Sequence, residues 1–342
     1  RARAEDAISG TARWLDRRPG ARPLHLALDD PASVARVARF IDGSALGLVL
    51  SGGGAQGTAH LGALKALGEA GIAFDCVGGT SAGAAMGAAL ALGRDPDEVM
   101  RLCEEIFLRS RAMGRYTVPK FSLLDPKEFD AALRRQFGPR EIEDLVLPFF
   151  AVATNLSTND MAVLDRGPLW EAIRASTSIP GVFPPWIRGK GEVLVDGAVM
   201  DNAPLLAMRE RKAGPALLLN MRRSGDWRVA LRYGELPGRR AIAAHLLKGW
   251  LGTRGPGELP TVVSVLARVF NVNAQKRLRS IDAPGDVIID IDPLEGMAIL
   301  DWSRARAQYE ESYRMFSEAL ARGGAASPDP VARLAALKQA LR

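Results

Sequence analysis

The sequence predicts an α/β fold around a parallel sheet, and three observations predict it. Short apolar runs alternate with helix-like patterns along the chain. Two glycine-rich turns each follow an apolar run and open a helix pattern: Gly52-Gly53-Gly54-Ala55-Gln56-Gly57 and Gly79-Thr80-Ser81-Ala82-Gly83. A third turn, Asp196-Gly197-Ala198, also directly follows an apolar run. In parallel α/β sheets, sites form beyond the carboxyl ends of the strands. The three turns are therefore expected on one edge of one sheet.

Composition sets the bounds. The 342 residues are 47% hydrophobic, enough for a substantial core, and 25% charged, ordinary for a globular chain. Cys76 and Cys103 make no disulfide framework. No metal-ligand cluster is visible, and three histidines leave room for few. The net charge of +6 favours anionic partners, either nucleic acid or a membrane surface. The chain begins with Arg1, as expected of a piece of a longer protein. Residues 1–40 lack the pattern of a signal peptide. The longest small-apolar run, 82–92, is well short of the roughly 20 residues that span a bilayer.

The elements follow in order. Residues 5–15 read as a short helix. Asp30-Pro31 starts a second, with Val34, Val37, Ala38 and Ile41 on one face. Together, 1–43 read as a helical lead-in packed on a main domain of 44–322. Residues 46–50 read as a buried parallel strand. A helix over 55–70 stops at Gly71, a usual C′ residue. His60, Leu64 and Leu67 share its face, which makes His60 a packed core residue. Residues 74–77 read as a strand, and 82–92 as a helix buried against the sheet. Asp95-Pro96 starts another helix, through Val99, Leu102, Cys103 and Ile106. The basic stretch 109–120 reads as a mobile loop. Helices are expected at 126–137 and 169–176, and strands at 147–154, 162–164, 192–195, 216–220 and 287–291. Residues 178–186 form an apolar, proline-stiffened loop, suited equally to lining an apolar pocket and to core packing. Asp201-Asn202-Ala203-Pro204 reads as turn chemistry. Residues 323–342 read as a linker and a final helix.

The turns carry chemistry. Gly79-x-Ser81-x-Gly83 is a G-x-S-x-G, which holds a serine hydroxyl exposed at the positive end of the following helix. The glycine loop offers a row of backbone N–H groups suited to an oxyanion or a phosphate. Gly52, Gly54 and Gly57 also fit G-x-G-x-x-G, the dinucleotide fingerprint. That reading needs an acid at the end of the second strand, whereas Asp75 stands at its start. A Walker A loop fails because Thr58 follows Gly57 where lysine is required.

With G-G-G-A-x-G, G-T-S-A-G and D-G-A in hand, the chain resembles the patatin-like phospholipases. Further similarity lies in Trp14-Leu15-Asp16-Arg17-Arg18-Pro19-Gly20, in Leu169-Trp170, in Arg174-Ala175-Ser176 and in Pro180, Pro184 and Pro185. These residues resemble the esterase domain of the neuropathy target esterase group. The likeness is close over residues 10–205 and looser beyond. It implies a three-layer α/β/α fold with a mostly parallel central sheet. It implies hydrolysis of phospholipid or lysophospholipid acyl esters by a Ser–Asp dyad, with no metal or other cofactor. In larger relatives cyclic-nucleotide-binding modules precede this domain. The family usually has Arg or Lys where this chain has Gln56, so the loop lacks a positive charge.

Carried over by position, Ser81 is the expected nucleophile and Asp196 the expected base. The oxyanion donors are expected among Gly52, Gly53, Gly54 and Ala82. Gly57, Gly79, Gly83 and Gly197 complete the motifs. The order Ser81, Asp196, His245 also fits a conventional triad. However, His245 lies in an apolar helical patch, His60 faces the core and His25 precedes the first strand. Asp196 is therefore expected to touch Ser81 directly.

The charge excess sits in residues 221–280, interspersed with Trp227, Tyr233, Trp250 and Phe270. Basic and aromatic residues together suit an anionic membrane surface, and a solvated face packed on the domain is the plainer reading. No recognition motif supports nucleic acid. The expected setting is cytoplasmic, with peripheral attachment to a membrane's inner face. Two other classes stay open: a nucleotide-binding protein using the glycine loop, and a non-catalytic lipid-binding module.

Overall fold

A computed structural model describes residues 8–18, 20–110, 114–222, 285–323 and 327–341, with isolated positions between 223 and 284. Most of the basic segment lies outside the described residues, and so do His245, Trp227, Tyr233, Trp250 and Phe270.

Among the described residues the helices are α1 (Thr11–Leu15), α2 (Pro31–Asp42), α3 (Thr58–Glu69), α4 (Ala82–Ala91), α5 (Pro96–Glu104), α6 (Lys127–Phe137), α7 (Leu169–Ser176), α8 (Leu205–Arg209), α9 (Ala305–Gly323) and α10 (Pro330–Ala340). The strands are β1 (Gly47–Leu50), β2 (Cys76–Thr80), β3 (Phe149–Asn155), β4 (Asp160–Leu164), β5 (Trp186–Arg188), β6 (Glu192–Asp196), β7 (Ala216–Met221) and β8 (Val287–Ile291). They form one sheet in the hydrogen-bonded order β5-β6-β3-β2-β1-β7-β8, with β4 also on β3. Strands β3, β2, β1, β7 and β8 run parallel. The β4, β5 and β6 pairings are antiparallel. The sheet is thus mostly parallel with an antiparallel extension, and helices cover both faces. Leu48 and Leu50 face the core shared with α3, α4 and α9. Val49 faces a smaller core with Phe150 and with Met208 of α8.

Register places the site. Ala151 pairs with both Gly79 of β2 and Leu164 of β4. Ala153 pairs with both Ala162 of β4 and Asp196 of β6. Strand β4 therefore occupies one edge of β3, and β2 and β6 share the other. They approach from opposite directions, so their carboxyl ends meet.

Several helix starts follow the expected chemistry. Asp30 caps α2 through the N–H of Ala32, and Asp95 caps α5 through that of Asp97, each followed by proline at N1. Gly71 has φ +72 after α3. Three expectations are corrected. Strand β2 runs to Thr80 instead of stopping at 77, because Gly78 leaves room for the Phe150 ring. The α2 face of Val34, Ala38 and Ile41 is exposed. That helix is instead held by buried Ser33, by Arg39 on Asp75 and by Arg36 on the Val146 carbonyl. Trp186, read as the last residue of the apolar loop, instead opens edge strand β5.

Candidate active site

Ser81 sits between β2 and α4 at φ 55 and ψ −123, a region L-residues rarely adopt. Such a backbone costs on the order of 1–3 kcal/mol and persists only where surroundings over-determine it. Here the Ser81 N–H donates to Ser176 Oγ at 2.9 Å, and Ser176 Oγ donates to the Val152 carbonyl at 2.6 Å. A Cβ on Gly83 would collide with the Leu50 carbonyl, so the turn can close only on glycine.

Asp196 ends β6. Its Oδ2 accepts from Ser81 Oγ at 2.7 Å, and its Oδ1 accepts from the Ala198 N–H at 2.9 Å. The carboxyl is 1% exposed. Burial raises its pKa to about 7, against the downward pull of the Ala198 N–H and the Ser81 hydroxyl.

The glycine loop lies against this pair. The Gly52 N–H donates to the Asn202 carbonyl at 3.1 Å, and Asn202 Nδ2 donates back to the Gly52 carbonyl at 3.1 Å. The expectation that Gly52 is an oxyanion donor is thereby corrected: Asn202 already holds its N–H. Gly53 and Gly54 open a 3₁₀ turn and Ala82 opens α4, positions whose N–H groups have no intrahelical acceptor. Gly54 has φ +55 and presses on the Ile299 carbonyl, to which Ala55 N–H donates at 2.8 Å. Gln56 is buried, and its Nε2 donates to the Met297 carbonyl at 2.6 Å. It therefore ties the loop to the segment before α9.

The two described histidines, His25 and His60, stand apart. His60 is fully buried, its Nε2 donating to the Ser51 carbonyl at 2.9 Å, and burial lowers its pKa to about 4. His25 donates to the Glu143 carbonyl. Among the described residues no candidate metal cluster occurs.

Ser81, Ala82 and Gly54 open onto an apolar pocket whose walls include Met86, Ile106, Phe129 and Leu133. Ile179 and Phe183 of the apolar loop line it, and Val182 and Phe183 also belong to the buried core, so the loop does both. Buried Arg174 fixes the loop by donating to Asp130, to Ser178 Oγ and to the Pro184 carbonyl. Ser176, Asn202 and Arg174 are given no roles by the sequence, although Arg174 and Ser176 belong to the residues that carry the resemblance and Asn202 to the Asp201–Pro204 turn.

A patatin-like phospholipase family model matches residues 48–209. Lysophospholipase NTE1 of Candida glabrata is 32% identical over 313 residues, covering 88% of this chain and 17% of that protein. An uncharacterized NTE family protein of Mycobacterium tuberculosis is 36% identical over 238 residues, covering 70% of this chain and 40% of that protein. Neuropathy target esterase sws of Drosophila melanogaster is 32% identical over 255 residues, covering 72% of this chain and 17% of that protein. The chain thus spans less than half the length of these relatives.

Proposed function

This chain carries a patatin-like phospholipase domain, and from that premise we propose that it is a serine esterase cleaving acyl esters of phospholipids or lysophospholipids. The observation that carries this reading is the 2.7 Å hydrogen bond to a buried carboxyl from the Oγ of Ser81, which lines an apolar pocket. Ser81 attacks the ester carbonyl while Asp196 takes its proton. Asp196 returns that proton to the departing alcohol, then activates the water that releases the fatty acid. A carboxylate is a weaker base than imidazole toward a hydroxyl, and a pKa near 7 narrows that gap. The N–H groups of Gly53 and Gly54, with that of Ala82, bind the tetrahedral oxyanion. One such donor typically contributes about 3 kcal/mol. The apolar pocket takes the acyl chain, and no cofactor enters the sequence of steps. The excess of basic residues favours work at an anionic membrane surface. The printed names of the relatives, lysophospholipase among them, support the substrate class.

The test is release of fatty acid from lysophosphatidylcholine by the purified chain. Wild type is expected to release it and a folded Ser81→Ala variant to fall to background. Equal rates from the two would remove Ser81 from the reaction.

A further inference from the structure

The pocket has a direction. Ser81 is the residue preceding α4, and Arg94 lies just beyond that helix's other end. Ala82, Ala85, Met86 and Ala89, spaced i, i+3, i+4 and i+7, form one face of α4, and all four line the pocket. Hydroxyl, amide and guanidinium linings occur only at the two ends. Ser81 and Thr177 stand at the catalytic end, and Arg94 and Gln136 at the other. Between them the walls are hydrocarbon, aromatic and sulfur side chains. Cys103 belongs to this stretch as a neutral thiol, since burial raises its pKa to about 12.

A hydrogen-bonded pair stands at the distal end. Arg94 Nη1 donates to Gln136 Oε1 at 2.9 Å, and Nη2 donates to the Gln136 carbonyl. The guanidinium also lies 5.9 Å from the Phe137 ring centroid. Arg94 is half-buried, so this pair sits between the hydrocarbon interior and solvent. A guanidinium so held offers no favourable surface to a methyl terminus.

Resting on the esterase reading above, we propose that α4 is a ruler for a single acyl chain and that the Arg94–Gln136 pair is its stop. Helix α4 has 10 residues, about 15 Å at 1.5 Å per residue, and Arg94 lies a little further on. An extended chain with carbon–carbon bonds of about 1.5 Å advances about 1.25 Å per carbon. The pocket therefore takes chains of about 12–14 carbons, the carbonyl at Ser81 and the terminal methyl before Arg94.

The experiment measures kcat/KM for p-nitrophenyl esters from 4 to 18 carbons in detergent mixed micelles. Wild type is expected to peak at about 12–14 carbons. Ala89→Phe fills the pocket partway along α4. The peak should move to about 8 carbons, and the 14-to-4-carbon ratio should fall at least tenfold. Arg94→Ala removes the stop at a partly exposed site that tolerates truncation. The 18-to-12-carbon ratio should rise at least threefold. A length profile unchanged in Arg94→Ala, or unchanged in a folded Ala89→Phe, would overturn the ruler while leaving the esterase reading intact. A wild-type chain that hydrolyses no ester of any length would overturn both.

Discussion

Thr80 and Asp196 pair with consecutive residues on one edge of β3, Thr80 with Val152 and Asp196 with Ala153. Strand β2 arrives parallel to β3 and β6 antiparallel to it, so their ends face each other across a single rung. The residue after Thr80 is Ser81, and Asp196 is itself the last residue of β6. The backbone register thus brings hydroxyl and carboxyl within hydrogen-bond reach, with no long side chain to span the gap. Gly197 is required at this junction, since a Cβ there would collide with the Val152 carbonyl.

Burying Asp196 costs stability once it ionises. Its folded pKa, about 7, lies above the ordinary carboxylate value of 3.8. Between those values the folded state binds more protons than the unfolded chain, so stability falls as pH rises from about 4 to 7. Asp196→Asn is neutral and keeps partners for both Ser81 and the Ala198 N–H. It should therefore melt higher than wild type at pH 8, by a margin on the order of a few kcal/mol in unfolding free energy, and nearly level with it at pH 4. Thermal melts of both proteins across this range check the sign. A margin that shrinks with rising pH would mean the carboxylate is stabilised in place.

Activity should depend on the same proton. Only ionised Asp196 can accept from Ser81, so kcat/KM should rise with pH and level off above a midpoint near 7. His60, with its pKa near 4, stays neutral throughout and should not contribute a limb. His60→Gln should accordingly keep at least a tenth of the activity. A profile whose limb disappears in that variant would assign the proton to the histidine.

Ser176 holds the strained backbone of Ser81 through a single bridging hydroxyl. Ser176→Ala leaves the Ser81 N–H and the Val152 carbonyl unpaired in a buried site, a cost of about 1–3 kcal/mol for each such group. The expected result is a lower melting temperature and a kcat reduced at least tenfold with KM changed less than threefold. Ser176→Thr, which retains the hydroxyl, should recover part of the loss. Equal effects on kcat and KM would point to a role in substrate binding instead.

Gln56 stands where the resemblance leads one to expect a positive charge, and its side chain reaches inward to Met297. Gln56→Leu removes that donor and should cost about 1–3 kcal/mol in urea unfolding. Turnover should fall several-fold, because Ile299, two residues from Met297, abuts Gly54. An unchanged unfolding midpoint would show that the bond is not stabilising.

The chain's legible parts are those where one residue type answers one local demand. Asp-Pro starts helices, Gly ends them, and glycine with serine at a strand end makes a sharp turn. Those rules located β1, α4, α5 and the Ser81 and Asp196 turns. What escaped depends on distant partners. Gly78 looks like a strand breaker until Phe150 is seen lying over it. Helix α9 buries Gln308 and Ser312 along with Tyr309 and Phe316, which blurs its apolar stripe. Gly62 of α3 lets the α9 backbone pack closely against it. The loss of Gly52 as a donor depends on Asn202, 150 residues away. Local pattern carries no record of such pairings.

Direct activation of Ser81 by Asp196 is tested most directly by reacting the protein with a fluorophosphonate at pH 8 and finding the modified residue by mass spectrometry. Labelling is predicted on Ser81 alone in wild type, undiminished by more than tenfold in His60→Gln, and slowed at least a hundredfold in folded Asp196→Asn. Labelling of another residue, or of Ser81 at the wild-type rate in Asp196→Asn, would contradict the account.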